Sequence, residues 1–459
     1  MNLNKAMQLR SQLQSRHLLS FECPCSHYEL DWLVKQGLVN STPAIEKQAS
    51  SFKCCRCGES HKRYFAYTPC DQCKKDCVYC RSCIMMGKAT ECTNLYEWIG
   101  PTVEERSQVK FTWQGELSKG QKRASEAMIE AIKNKTDLLV WAVCGAGKTE
   151  VLFYGIEYAL NRGMKVCITT PRTDVVLELE PRIRKVFQGI NIAVLYGGSL
   201  QRLQLAPLMI STTHQLLRYK NAFDVIIIDE VDAFPYSIDD RLQFAVKKAM
   251  REKGVTIYLS ATPSKKMQKD ISYGKLEAIK IPIRFHQKPL PVPTFQWIGQ
   301  WKKRLEKKQL PSTVVEWIQK HIKKRRRILL FVPSISIMKK VTNIFRLLEI
   351  NAEGVSAEDK ERKRKVQSFR EHAYNVLVTT TILERGVTIQ NVQVGVLGAE
   401  STIFTESALV QIAGRVGRHP QYSQGDVLFF HFGLTRNMKQ AKKHIVQMNH
   451  TSMREFSEK

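Results

Sequence analysis

The sequence predicts an α/β protein of two successive layered sets behind a small cysteine-rich region, and three observations carry that prediction. First, short β-branched apolar runs alternate with amphipathic helical stretches over residues 106–282. The runs DLLVWAV (137–143), KVCITT (165–170), DVIIID (224–229) and VTIYLSAT (255–262) read as buried strands of a parallel sheet. Second, the same alternation resumes at RRILLFVPS (326–334) and continues through NVLVTT (375–380) and VQVGVLG (392–398). Third, 11 of the 13 cysteines lie between Cys23 and Cys92, ahead of both sets.

These observations divide the chain into four expected parts. Residues 1–105 form an N-terminal region with a metal-binding core at about 52–92, and residues 106–282 form the first α/β lobe. Pro282, Pro289, Pro291, Pro293 and Pro311, with the basic string WKKRLEKK, mark residues 283–311 as a partly ordered, positively charged linker. Residues 312–459 form the second lobe. From about residue 434 a basic helix that includes MKQAKKHIVQM is expected to cap that lobe with one face in solvent.

Charge narrows the choice of partner. The chain has 459 residues, enough for about three domains of ~150 residues. Its 43% hydrophobic and 25% charged residues are those of a globular protein. Lys and Arg number 71 against 43 Asp and Glu, a formal net charge of +28, which favours a polyanion: nucleic acid or an anionic membrane face. The first twenty residues lack the apolar core and small-residue cleavage site of a signal peptide, and no apolar run reaches the ~18 residues that span a bilayer. The expected location is cytoplasmic, with peripheral attachment at the inner face of the membrane left open. There, a dense cysteine cluster points to metal rather than to disulfides.

The segment AVCGAGKTE (142–150) follows an expected strand and opens an expected helix. Backbone N–H groups of Gly145, Ala146 and Gly147 in such a loop cradle phosphates, Lys148 neutralises the β and γ phosphates, and Thr149 holds Mg²⁺. Ala142 stands where the usual string begins with glycine. DEVD (229–232) follows the strand DVIII, at the kind of strand end where α/β sheets bind ligands. Asp229 is the candidate Mg²⁺ ligand and Glu230 the candidate that polarises the attacking water. Gln121, in LSKGQ (117–121), has an amide suited to both edges of adenine, although spacing alone also fits an ordinary surface residue.

Across residues 110–430 the chain resembles the DEAD/DEAH-type superfamily-two helicases. GAGKT is followed in order by TPR (170–172), TTHQL (212–216), DEVD, SAT (260–262), TTTILERGVT (379–388) and QIAGRVGR (411–418). The resemblance implies two tandem RecA-like lobes that clamp ATP between them and grip one nucleic-acid strand. It assigns Arg415 and Arg418 to the γ-phosphate, where a guanidinium stabilises transition-state charge. It assigns Ser260, Thr262 and Gln411 to coupling hydrolysis with lobe movement, although Gln411 stands where many members have histidine. Thr170, Arg172, Thr212, Thr213, Thr380 and Thr381 are short donors and a cation suited to phosphate contacts without sequence information. For each threonine alone, β-propensity is a sufficient explanation. Thr388 replaces the aspartate of the commoner motif.

The cysteine-rich region ahead of GAGKTE, with DEVDAFP and TTTILERGVT, looks like the late-competence DNA-uptake ATPase family of the ComFA type. That resemblance implies a bacterial motor that pulls single-stranded DNA into the cytoplasm during natural transformation, beside partner proteins at the membrane channel and in the cytosol. The runner-up is a duplex-unwinding helicase similar to the primosomal PriA type. A third class, a zinc-containing scaffold with a degenerate ATPase fold, is opposed by intact Lys148, Asp229, Glu230 and Arg418.

CCRCG (54–58) and YCRSC (79–83) each supply a CxxC pair, the spacing with which two thiolates grip one Zn²⁺. Cys54, Cys57, Cys80 and Cys83 are the preferred Cys₄ set, and the resemblance points to the same four. The gap between the pairs, residues 58–79, is slightly longer than the ~15–20 of common zinc ribbons. Cys70, Cys73 and Cys77 offer competing pairs, so a swapped ligand or a second metal stays open. Cys144 and Cys167, in strand regions, are expected in the core. Lys53, Arg56, Lys62, Arg63, Lys74, Lys75 and Arg81, interleaved with Tyr64, Phe65, Tyr67 and Tyr79, supply the cations and rings of single-strand binding. Docking of a partner protein fits them equally.

Overall fold

The structure is a computed structural model, and it describes residues 3–49, 51–102, 109–199, 205–383 and 389–457. The chain forms two compact units: Met1–Val140 with Thr149–Ile279, and Trp141–Lys148 with Lys280–Lys459.

The first unit is built on a seven-stranded sheet. Its strands are β1 (Leu138–Ala142), β2 (Val166–Thr170), β3 (Ile192–Leu195), β4 (Leu208–Thr212), β5 (Phe223–Ile228), β6 (Met250–Ser260) and β7 (Glu277–Ile281), in the order β3-β4-β2-β5-β6-β1-β7. The pairs β3/β4, β4/β2, β2/β5 and β5/β6 are parallel. Strands β2 and β4 are buried along their whole length, which is why they read as continuous apolar runs. The sequence reading located β1, β2, β5 and β6 and missed the short β3, β4 and β7.

The second unit repeats the arrangement with six strands. These are β8 (Thr294–Trp297), β9 (Arg327–Phe331), β10 (Ala352–Val355), β11 (Val376–Thr379), β12 (Val392–Leu397) and β13 (Val427–His431), in the order β8-β13-β12-β9-β11-β10 with every pair parallel. The stretch 283–311, expected to be a partly ordered basic linker, contributes regular elements to this unit. Residues 294–297 form the edge strand β8, and the helix Trp301–Glu306 buries Trp301 and Leu305 in this unit's core. Apolar side chains at helical spacing among the lysines decide this, because burying an indole outweighs the solvation of its charged neighbours. The basic helix Arg436–Ser457 buries Met438, Ala441, Ile445 and Met448 along one stripe and packs on the helix Glu406–Ala413. From it, Asn449 clasps the backbone of Leu290, accepting from its N–H at 2.8 Å and donating to its carbonyl at 2.9 Å.

The cysteine-rich region is not a separate body. Its buried Cys54, Cys57, Val78, Cys80 and Cys83 share one continuous core with Leu216, Leu217, Phe223, Leu242 and Val246 of the first lobe. At its edge, Glu22 Oε1 accepts from Arg56 Nη2 at 2.7 Å and from Arg218 Nε at 2.7 Å. Arg56 belongs to the CCRCG turn and Arg218 ends the 3-10 helix Thr213–Arg218, so one carboxylate joins the two regions. Lys248 Nζ donates to the carbonyls of Arg56 (2.8 Å) and Leu217 (2.7 Å). Burial, reinforced by the charge of Arg56, pushes that ammonium down to about 7. Arg16 stacks its guanidinium on Tyr219 at 4.0 Å.

Removing one member of a buried ion cluster leaves the other charges uncompensated, at a cost of about 3–5 kcal/mol. Glu22→Ala is therefore expected to lower the urea midpoint of the first unit and to expose the cysteine-rich region to limited proteolysis. The second unit's thermal transition should not move.

Candidate nucleotide site and cysteine clusters

The glycine loop leaves β1 at the fully buried Ala142 and runs into the helix Lys148–Val151. Gly145 (φ +82°) and Gly147 (φ +73°) both lie in the left-handed region, where a side chain is strained. Two such residues flanking Ala146 give the concave backbone of a phosphate nest, so the residues present fit a nucleotide's phosphates. Thr149, the candidate Mg²⁺ ligand, is buried.

The glycine loop as far as Lys148 belongs to the second unit, where Cys144 meets the QIAGRVGR segment. Cys144 Sγ donates to Gln411 Oε1 at 3.0 Å, and a Cβ on Gly414 would fall 2.5 Å from the Cys144 Cβ. Arg415 is buried, and Arg418 is half-buried with its Nε donating to the Gly414 carbonyl at 3.0 Å. A residue that the sequence reading did not single out stands beside them. Arg284 is fully buried, its aliphatic carbons 3.7–3.8 Å from where a Gly145 Cβ would be, and its Nη1 donates to the Gly417 carbonyl at 2.5 Å. Its Nε and Nη2 find no hydrogen-bond partner among the described residues. Burial, with Arg418 acting in the same sense, pushes its guanidinium down to about 10. No motif spacing marks Arg284, because it lies in a proline-rich stretch and reaches the loop only through tertiary folding.

In the first unit, DEVD follows β5 directly. Asp229 N–H donates to the Thr169 carbonyl at 2.8 Å, which fixes the strand end. Glu230 has φ +58°, a conformation that costs a non-glycine residue about 1 kcal/mol or more. The Val231 N–H bond to Leu259 (3.1 Å) and the Ala233 N–H bond to the Glu230 carbonyl (2.8 Å) hold it there. Asp232, which the sequence reading left without a role, accepts from Ser260 Oγ and from Thr262 Oγ1, each at 2.7 Å. The SAT turn is thus latched to the acidic motif by one carboxylate.

Other predicted contacts are placed less openly. Gln121 is buried rather than on the surface, and its Oε1 accepts from the Ser118 N–H at 2.8 Å as part of a helix start. Thr170 and Thr212 end their strands, Thr213 opens the 3-10 helix Thr213–Arg218, and all three are buried. Arg172 pairs with Asp174 at 3.3 Å. Thr380 and Thr381 are half-buried beyond the end of β11. Thr388, with residues 384–387 of its motif, lies outside the described residues.

Cys54, Cys57, Cys80 and Cys83 are all buried, with their sulfurs within 4.8 Å of one another. Cys54 and Cys83 lie 3.7 Å apart and Cys57 and Cys80 3.8 Å apart. Sulfurs at about 2.3 Å from a central zinc form a tetrahedron with edges of about 3.8 Å, so this donor set fits Zn²⁺. Hydrogen bonds among the thiols, that from Cys57 first, hold Cys54 far below the usual thiol range, and bonding to Cys54 raises Cys83. A second group, Cys70, Cys73, Cys77 and Cys92, also lies within 4.8 Å. Cys144 and Cys167 are buried as expected. Arg56 is not available to a nucleic acid, because its guanidinium is consumed by Glu22 and the Gly87 carbonyl (3.2 Å). Lys62, Arg63, Lys74, Lys75, Arg81 and Tyr67 are exposed.

Paired parallel-sheet lobes carrying a glycine loop, an acidic strand end and a two-arginine motif define a helicase-like ATPase of superfamily two. Residues 120–271 match the DEAD/DEAH box helicase family and residues 309–420 the helicase conserved C-terminal domain. Residues 3–97 match the competence protein ComFA N-terminal domain. The chain is 52% identical to competence protein ComFA of Bacillus subtilis (strain 168), over 98% of this chain and 96% of that one. It is 36% identical to competence protein ComFA of Streptococcus pneumoniae, over 90% and 94% of the two chains. The chain belongs to the ComFA competence protein family. By contrast, replication restart protein PriA of Rickettsia felis is 26% identical over only 47% of this chain and 35% of its own length. The fold is also that of Saccharomyces cerevisiae Dbp5 bound to RNA and ADP BeF3, with TM-score 0.52 and 14% identity over 72% of this chain and 91% of that one.

The Asp232 latch can be tested directly. Hydrogen bonds to a charged acceptor contribute about 1.5–3 kcal/mol each. Asp232→Ala is expected to lower ATP turnover by roughly tenfold or more while ATP binding, read by a fluorescent analogue, changes far less.

Proposed function

We propose that this competence-related ATPase is a translocase that draws single-stranded DNA into the cytoplasm during natural transformation. The observation that carries the reading is the relationship to two ComFA proteins along nearly the whole chain, the cysteine-rich region included. The net charge of +28 and the exposed cations and Tyr67 of the cysteine-rich region suit a sequence-independent grip on a single strand.

In this reading the backbone of Gly145, Ala146 and Gly147 cradles the phosphates, with Lys148 as their cation. Thr149 and Asp229 hold Mg²⁺, which supplies charge neutralisation at the phosphates. Glu230, fixed in its left-handed conformation, orients the attacking water, and Arg415 and Arg418 stabilise the charge that develops on the transferred phosphoryl group. Ser260 and Thr262, through Asp232, and Gln411, through Cys144, pass the state of the nucleotide to the lobes. Arg172, Thr380 and Thr381 contact the strand's phosphates, Thr170, Thr212 and Thr213 shape the strand ends beneath it, and Gln121 supports adenine recognition. Cys54, Cys57, Cys80 and Cys83 hold a structural zinc. Among the described residues no helix is long and apolar enough to cross a membrane. Work at the inner face of the membrane then rests on partner proteins of the uptake channel and the cytosol.

The test measures ATP turnover with and without single-stranded DNA, alongside displacement of an annealed strand. Stimulated turnover without displacement supports the translocase. Displacement supports the duplex-unwinding reading, and absence of stimulation overturns both. Lys148→Ala is expected to reduce turnover by about 10²-fold or more with DNA binding retained. Cys54→Ser should lower zinc content and stability, and an unchanged metal content in that variant would rule out the first cysteine set.

A further inference from the structure

We propose that the cysteine-rich region holds a second zinc ion, bound by Cys70, Cys73, Cys77 and Cys92. The hairpin formed by strands Phe65–Cys70 and Lys75–Cys80 supplies three of the sulfurs: Cys70 ends one strand, Cys73 sits in the turn, and Cys77 lies on the returning strand. The turn is closed by Lys74 N–H donating to the Cys70 carbonyl at 2.8 Å. The fourth sulfur comes from elsewhere. The segment after Cys83 returns alongside the hairpin, with Cys80 N–H bonded to the Ala89 carbonyl (3.0 Å) and Glu91 N–H to the Val78 carbonyl (2.9 Å). That path places Cys92 Sγ 3.3 Å from Cys70 Sγ and 3.4 Å from Cys77 Sγ.

All four sulfurs lie within 4.8 Å of one another, which brackets the ~3.8 Å edge of a zinc tetrahedron. The donor set is separate from the first site and interleaved with it, since Cys70, Cys73 and Cys77 fall between Cys57 and Cys80. The arrangement explains the long gap between the two CxxC pairs of the first site: the gap contains a hairpin with its own closure. It also resolves the competing pairs, because Cys70, Cys73 and Cys77 meet Cys92 rather than displacing a ligand of the first set. Four thiols binding Zn²⁺ release four protons and leave a site of net charge −2. Lys74, Lys75 and Lys88 provide compensating charge nearby, Lys88 reaching Thr68 on the same hairpin at 3.5 Å. The two sites differ in access. The first is fully buried, whereas only Cys77 of the second is, so the second is the site that exchanges its metal and meets oxidants first.

The full-length protein, purified under reducing conditions, is analysed for zinc by inductively coupled plasma mass spectrometry. The expected content is about two zinc ions per chain, falling to about one in Cys92→Ser and in Cys73→Ser, the latter a turn position where folding is least at risk. Cobalt substitution gives the second readout: the thiolate-to-cobalt absorption per chain should halve in each variant and keep its tetrahedral form. Double substitution Cys54→Ser with Cys92→Ser should abolish it. One zinc per chain in the parent with no change in either variant overturns the proposal while leaving the first site standing. A Cys70–Cys92 disulfide found by peptide mapping of the reduced-purified protein overturns it as well. Loss of all metal in Cys54→Ser alone would mean a single site and also sink it.

Discussion

Glu22 sits where three parts of the chain meet, and its carboxylate supplies the counter-charge for two buried arginines. One, Arg56, lies between the first two ligands of a cysteine cluster. The other, Arg218, ends the 3-10 helix that begins with Thr213. A buried ion cluster is weak evidence of net stability, since desolvation offsets most of the attraction. Its consequence is geometric: the cysteine-rich region has one permitted seat on the first lobe, because any other would leave a guanidinium uncompensated. Lys248 and the Arg16–Tyr219 stack fix the same seat from either side.

That seat ties the first cysteine cluster to the motor lobe. The sulfurs of the first cluster lie in the same apolar core as Leu216, Leu217 and Leu242. A change at those sulfurs would then be felt in the lobe that carries the acidic motif, not only in a distal module. Within that lobe a second carboxylate, Asp232, plays the comparable part for the nucleotide machinery by latching Ser260 and Thr262. Both junctions join residues far apart in sequence through a single acidic side chain. Asp232 and its partners lie inside the DEVD and SAT strings, whereas Glu22 lies outside every motif that identifies the superfamily.

The second unit shows how far composition can mislead. A proline-rich stretch followed by lysines reads as a partly ordered, positively charged linker, yet it supplies an edge strand and a buried tryptophan. Arg284 comes from the same stretch and lies against Gly145 and Gly417. A cation beside a phosphate loop has obvious chemistry, but its sequence neighbours are unremarkable.

The sequence alone determined the α/β class, the order of the lobes, the glycine loop with Lys148 and Thr149, and the DEVD carboxylates. It also singled out the arginines of the final motif and the first cysteine set. Each of these is written in local spacing: strand periodicity, loop glycines, or CxxC pairs whose chemistry depends on close neighbours in the chain. Tertiary structure decided what depends on distant partners. It brought Cys92 to Cys70 and Cys77, placed Glu22 between Arg56 and Arg218, withdrew Arg56 from the solvent, and carried Arg284 to the glycine loop. Thr170 and Thr212 lie buried for a related reason, since a threonine at a strand end has the same pattern in sequence whether it faces a ligand or the core. Local spacing records which groups can act together within a turn or strand, and only packing determines which of them meet across the chain.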